Sequence, residues 1–395
     1  MTSYIKGKLG DIIELLYGKS LPENKRIYGK YPVMGSGGIS GYHNEYLCKG
    51  PGIIIGRKGS IGTIQYIKDN YFPIDTVFYV KPKNTTMPIK YIYYLLTQLN
   101  LKLLNTDAAV PGLNREVALS QNISYLENEK EQEKIAKILS NYDDLIENNN
   151  RRIKILEEMA QKIYKEWFVD FKFPGHETAT FKNSELGEIP SNWNIGTIKS
   201  INDVVGGYAF KSSDLMDKGQ KGVIKIKNIQ SGNIDLSSCQ FIDDNIAQKA
   251  NKFLLNSGDM LIAMTGAQVG KVGIMPITKI NYYLNQRVGR FVPNKKYIIN
   301  NQFLFIYTQS EKFINQINNV ASGAAQPNIS TNQIENIDIL LPEEVILSKF
   351  EQKIDAIYKE CQLLKSKNKN LKQTRDILLP RLISGEIDIE NLEIE

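Results

Sequence analysis

The chain has 395 residues, of which 42% are hydrophobic, and a formal net charge of +6. That is room for two or three domains with ordinary cores. The opening MTSYIKGKLG turns polar at once and no apolar run approaches the ~20 residues of a membrane span, so no signal and no span is expected, and the odd, sparse set of three cysteines reads as reduced thiols of a cytoplasmic protein. Cys48, Cys239 and Cys361 lie far apart without a CxxC pair, and His43 and His176 lack metal-ligand spacing, so neither a disulfide framework nor a metal centre is expected.

Residues 1–127 mix strand-like runs with turn signals. Ile12 to Leu16 reads as a strand ending in Tyr17-Gly18-Lys19-Ser20. A glycine-studded loop from Tyr31 to Tyr42 follows. Gly52 to Ile55 reads as a buried strand leading into Gly56-Arg57-Lys58-Gly59-Ser60-Ile61-Gly62. Phe78 to Val80 is another strand, and Ile89 to Leu104 a helix with an apolar face. A loop from Asp107 to Arg115 and a short strand complete the segment.

Glu129 to Phe168 contains neither Gly nor Pro. Ile135, Ile138, Tyr142, Leu145, Leu156, Met159, Ile163 and Trp167 recur at steps of mostly three and four, one stripe on a helix about 60 Å long. Charged residues fill the other faces, so the stripe requires a partner of similar length. Residues 176–341 then repeat the first plan: a strand at Val204-Val205, one at Gly258 to Ile262, a Gly266-to-Lys271 turn, and a helix from Gln302 to Ile317. The loop around Asn328 matches the loop around Asn114 at an offset of 214.

From Pro342 onward a second helix supplies the partner. Phe350, Ile354, Ile357, Cys361, Leu364, Leu371 and Leu378 alternate steps of three and four, with gaps at Asn368 and Arg375. The first helix has gaps at Asn149 and Arg152. A buried Asn in such a seam fixes register; alternatively all four residues face solvent where the coil loosens. The tandem order of lobe, helix, lobe, helix is that of a duplication whose helices pack antiparallel with one lobe at each end.

Charge follows the same division. Residues 1–127 hold 15 Lys and Arg against 9 Asp and Glu, and residues 171–341 hold 17 against 13, whereas residues 128–170 hold 8 against 10 and residues 342–395 hold 9 against 11. Basic lobes on a near-neutral scaffold suit a polyanion, although ordinary solvated lysines would give the same count.

Three stretches resemble one family. Leu186-Gly187-Glu188-Ile189-Pro190-Ser191-Asn192-Trp193 resembles the LGxIPxxW opening of a target-recognition domain. Asp144 to Ile153, with Leu156-Glu157 and Tyr164 to Phe168, resembles a central helical region, and Leu378 to Glu386 the end of a distal one. Together they are similar to the specificity subunit of type I restriction–modification systems. Pro380 departs from that pattern and should end or kink the second helix early.

The resemblance implies an α+β fold with two globular target-recognition lobes in tandem, separated by two long helices that pack as an antiparallel coiled coil. The expected boundaries are 1–127 for the first lobe, 128–173 for the central spacer, 174–341 for the second lobe, 342–386 for the distal spacer and 387–395 for an acidic tail. It implies a non-catalytic subunit that reads a bipartite, asymmetric sequence in double-stranded DNA, one half per lobe. The helices would set the spacer and dock two modification subunits. Restriction subunits would join them. S-adenosylmethionine, ATP and Mg would bind those partners and no cofactor this chain. The alternatives are an orphan DNA-binding protein without a restriction partner, and a coiled-coil scaffold whose lobes bind protein.

The residues agree with a reading role. No NPPF or DPPY motif for a flipped base occurs. Gly266-Ala-Gln-Val-Gly270-Lys271-Val272 has one residue too few for a P-loop and Val where a hydroxyl is needed. Loop donors able to pair with base edges or phosphates are Lys19, Ser20, Tyr42, Arg57, Lys58, Ser60 and Arg115 in the first lobe. In the second they are Tyr208, Lys211, Lys227, Asn228, Thr265, Gln268, Lys271 and Arg287. Tyr164, Trp167 and Phe168 either pack under the second lobe or face a partner subunit.

Overall fold

The structure, a computed structural model, describes residues 3–104, 112–185, 187–294, 301–321 and 327–389. The expected loop at 107–111, Leu186, residues 322–326 and most of the acidic tail lie outside them. The chain divides into two compact units, Met1–Asn148 with Asn368–Glu395, and Asn149–Lys367.

In the first unit an antiparallel four-stranded sheet runs Ile13–Tyr17, Val77–Pro82, Gly52–Gly56, Ile64–Ile67. Gly52–Gly56 is buried throughout, as its unbroken apolar run requires. The expected loop from Tyr31 to Tyr42 is instead a hairpin, Tyr31–Gly35 with Gly38–His43. Gly38 and Gly41 carry φ of 115° and 145°, so the glycines turn and twist paired strands rather than open a loop. The helix begins at Ile89 as expected but ends at Gln98, and the rest tightens into a 3₁₀ turn at Leu101–Leu103. Tyr4–Lys8 pairs with Asn122–Leu126 to close the lobe.

The second unit repeats this construction. Asn194–Thr197 pairs with Asp338–Leu341, as Tyr4–Lys8 does with Asn122–Leu126. Asn202–Gly206, Val288–Pro293, Met260–Ala263 and Val272–Ile274 follow the order of the first sheet, extended by two short strands. The helix expected over Gln302 to Ile317 is two, Gln302–Thr308 and Glu311–Ala321. Asn114 and Ser330 cap equivalent short helices, Arg115–Leu119 and Thr331–Glu335. The true offset is therefore 216 (330 − 114), not 214; the cap, rather than the shared Asn, is the equivalent feature.

Both long helices are present, Glu129–Phe168 and Glu344–Ile383, 40 residues each. In the first unit Ile135, Ala136 and Leu139 share a core with Leu379, Leu382 and Ile383. Asp143 pairs with Arg375 there, and Lys68 from the lobe pairs with Glu147. In the second unit Ile153 packs with Cys361 and Leu364, and the ion pairs Arg152–Glu360 (2.8 Å) and Glu157–Lys365 (3.0 Å) cross the pair. Early residues of one helix meet late residues of the other, which is antiparallel packing.

The distal ladder lies as expected, every rung from Phe350 to Leu378 being buried or half-buried. The central stripe differs. Leu145 and Met159 are exposed, and Leu139, Ile146, Asn149, Ile153 and Ala160 are buried in their place. A long run of mixed apolar residues permits two stripes; Leu139 and Ala160 are drawn into the lobe cores and Ile153 onto the distal helix. Asn149 and Asn368 are both buried, which favours the register reading, and the Asn368 amide reaches the Ile146 carbonyl (3.5 Å). Pro380 neither ends nor shortens its helix. It removes one backbone donor near the C-terminus, and burial of Leu379, Leu382 and Ile383 outweighs that loss.

Phe168 stacks edge-on against Phe303 (4.9 Å between centroids) and Phe350 (4.7 Å), and Tyr164 and Trp167 join the cluster. These aromatics therefore pack under the second lobe. Phe171 takes φ 54° just after the helix, bringing Phe171 and Phe173 onto the fully buried Trp193 of the GEIPSNW stretch. That motif is an anchor for the lobe's opening strand.

Candidate nucleic-acid interface

In the first lobe, pairing of Tyr17 with Phe78 and of Gly56 with Val77 gathers three strand ends at one edge of the sheet. Lys19 and Ser20 follow one strand and Arg57, Lys58 and Ser60 another. The Leu113 N–H donates to the Arg57 carbonyl (2.9 Å), which brings Arg115 to the same edge. A Cβ on Gly56 would stand 2.1 Å from the Ser60 carbonyl oxygen, so only glycine lets this turn close.

The half-exposed Tyr17 ring lies at the centre. The guanidinium of Arg57 lies 5.0 Å from its centroid and that of Arg115 5.6 Å. Arg57 Nη1 donates to the Asp75 carbonyl (3.0 Å), and Arg115 pairs with Glu116 (2.9 Å). Lys19, Lys58 and Ser60 are exposed beside them. Tyr42 is exposed too, but it stands on the hairpin of a separate sheet, opposite Pro32.

The second lobe forms the equivalent edge. Gly206 pairs with Gly289 and Ala263 with Val288. Tyr208 accepts from the Gln286 N–H (2.9 Å), the Arg287 carbonyl accepts from Met264 (3.1 Å), and the Met264 carbonyl accepts from Ile329 (2.9 Å). Tyr208, Arg287, Thr265 and, through the Gly266–Gln268 turn, Gln268 and Lys271 thus share one edge. Thr265 Oγ1 and Gln268 Oε1 are buried without a hydrogen-bond partner among the described residues. Lys227 is exposed on the adjoining Ile226–Asn228 turn, and Lys211 caps a separate 3₁₀ turn.

Asn228 does not fit its expected role. It is fully buried; its amide donates to the Asp235 carbonyl (3.0 Å) and to Ser238 Oγ (3.1 Å), and its oxygen accepts from the Lys225 N–H (2.9 Å). Every donor is committed to folding the loop, and no surface remains for a base. Lys19, Lys58, Lys211, Lys271 and Arg287, by contrast, have no ion-pair partner among the described residues, which leaves their charge available to an anion. The residue missed in the sequence is Tyr17. Its signal was an aromatic closing a strand directly before Gly-Lys-Ser.

The three thiols are buried or half-buried, and burial pushes each up to about 11, away from nucleophilic use. His43 is buried, and its ring accepts the Ile27 N–H (3.1 Å). Among the described residues no group of His, Cys, Asp and Glu is placed to hold a metal, and no helix is long and apolar enough to cross a membrane.

Two stretches of the chain, 3–158 and 190–373, match the model of the type I restriction modification DNA specificity domain. The chain belongs to that family. Each match holds one lobe and most of its helix, so both halves of the repeat are specificity domains. The chain is similar to the MjaVIII specificity subunit of Methanocaldococcus jannaschii, 27% identical over 98% of this chain and 93% of the relative. The MjaIX specificity subunit of the same organism is 26% identical over 86% and 78%. In fold it is similar to the crystal structure of a type I system S subunit from M. genitalium, with a TM-score of 0.62 over 97% and 96% of the two chains. As a specificity subunit it is the non-catalytic, DNA-reading member of its kind of system.

Proposed function

We propose that each lobe reads one half of a bipartite, asymmetric DNA sequence through its strand-end edge. We assign the target-recognition regions to 1–127 and 174–341 and the spacers to 128–173 and 342–386. The observation that carries this reading is the repetition itself. Two family-matched halves place the same three strand ends, the same glycine-bearing turn and the same capped short helix side by side, yet with different side chains on them. A shared frame with divergent donors is what two different half-sites require.

Arg57, Lys58, Lys19, Ser20, Ser60 and Arg115 are the contacts proposed for the first lobe. Tyr208, Arg287, Thr265, Gln268, Lys271 and Lys227 are those for the second, with Tyr42 and Lys211 as flanking contacts. The 40-residue helices set the spacing of the half-sites and dock two modification subunits. S-adenosylmethionine, ATP and Mg belong to the modification and restriction subunits, and the assembly works in the cytoplasm. Gel shifts of the chain with its modification subunits, at two salt concentrations, test the reading. Affinity should fall steeply with salt, with one bipartite duplex outcompeting random DNA. Equal competition by every duplex would contradict it.

A further inference from the structure

We infer that Tyr17 is a positioning residue: its ring face holds the guanidinium groups of Arg57 and Arg115 together as one paired-cation site for the DNA of the first half-site. The inference rests on the DNA-reading role proposed above. Two guanidinium groups converge on one ring, at 5.0 Å and 5.6 Å, that of Arg115 also pairing with Glu116 (2.9 Å). Aromatic quadrupoles attract such cations and offset part of their mutual repulsion. The ring is itself fixed, edge-on to Phe78 at 5.0 Å, so it acts as a platform and not as a loose side chain. Arg57 uses Nη1 on the Asp75 carbonyl and keeps its other donors without partners among the described residues.

The second lobe shows that the fold itself does not need this device. By strand register Gly206 stands where Tyr17 stands, and Gly289 where Phe78 stands. Met264 occupies the place of Arg57, each accepting the N–H before its short helix, and Thr331 opens the helix that Arg115 opens. A Cβ on Gly289 would meet Ile262 and Val204 at 3.0 Å, so that lobe has closed the space a ring would use. The same strand ends hold together with no ring at the Tyr17 position and no arginine at the Arg57 and Arg115 positions. The site is therefore peculiar to the first lobe, and the ligand it suits is the anionic backbone or a guanine edge of the first half-site.

The test compares Tyr17→Phe, Tyr17→Leu and the double variant Arg57→Gln/Arg115→Gln. Each is made in the full chain with its modification subunits and bound to the duplex that the host methylates. Tyr17→Phe keeps the ring face and should bind within about twofold of the parent. Tyr17→Leu should bind roughly tenfold more weakly, the size of two cation–π contacts. Its plot of log affinity against log salt should be shallower by about one unit or more. Added to the arginine double variant, Tyr17→Leu should change nothing further. Parental affinity and salt slope in Tyr17→Leu would overturn the inference. So would an equal loss in Tyr17→Phe, or a further loss on the arginine-free background, since either assigns the effect to the hydroxyl or to packing. Absence of sequence-specific binding by the parent would instead overturn the DNA-reading role itself.

Discussion

Glu351 sits almost wholly buried on the distal helix, where one carboxyl oxygen accepts the Phe303 N–H (3.0 Å) and the other has no partner among the described residues. Burial pushes its pKa up to about 8, the Phe303 N–H opposing and Asp355 adding. A raised carboxyl stabilises the fold while protonated. Its contribution is complete below the ordinary value of 4.5 and is lost as pH rises through about 8. Glu351→Gln should therefore gain stability over the parent as pH climbs, by roughly 2–8 °C in Tm at pH 8.5 and little at pH 5; a pH-independent difference in thermal melts would show that Glu351 is not protonated in the fold. Asn228 makes a second residue-scale case. Asn228→Ala strands buried groups and should cost about 1–3 kcal/mol in denaturant unfolding, whereas the exposed neighbour Lys227→Ala should cost stability little and DNA affinity more.

Among the elements, the end of the central helix carries the second lobe. Phe168→Ala would open a cavity among Phe303, Phe350 and Trp193 and should cost about 3–5 kcal/mol, read as a lowered melting transition. An unchanged melt would mean that the aromatics do not anchor the lobe. The helices and the repeat were legible because periodicity over 40 residues is redundant: the distal ladder lay as expected even through Asn368 and Arg375. The central stripe was misplaced at Leu145 and Met159 because tertiary packing, not spacing, chose between two apolar faces. Tyr31 to Tyr42 forms a hairpin where a loop is expected, since glycine signals a turn and a twisted strand alike. Of the candidate site residues, those next to glycines at strand ends proved to share an edge. Asn228 was illegible because burial of a polar loop residue is decided by neighbours distant in sequence, here Asp235 and Ser238. The stacking of two arginines on Tyr17 is not legible in the sequence, because it exists only once Arg115 is brought beside Arg57.

At the scale of the whole molecule, in the proposed function the lobes supply identity and the helices supply distance. Inserting one heptad into each long helix adds about 10.5 Å at 1.5 Å per residue, close to three base pairs. The spacer should lengthen by that amount, or activity should be lost, with both half-sites unchanged. Altered half-sites would mean that the helices take part in reading. Methylome sequencing of a host carrying this gene with its modification partner addresses the central claim most directly. It should show N6-methyladenine in one motif of two half-sites at fixed spacing, with exchange of residues 1–127 for another lobe altering one half-site only. Methylation in a single continuous motif, or changes in both half-sites on that exchange, would contradict it.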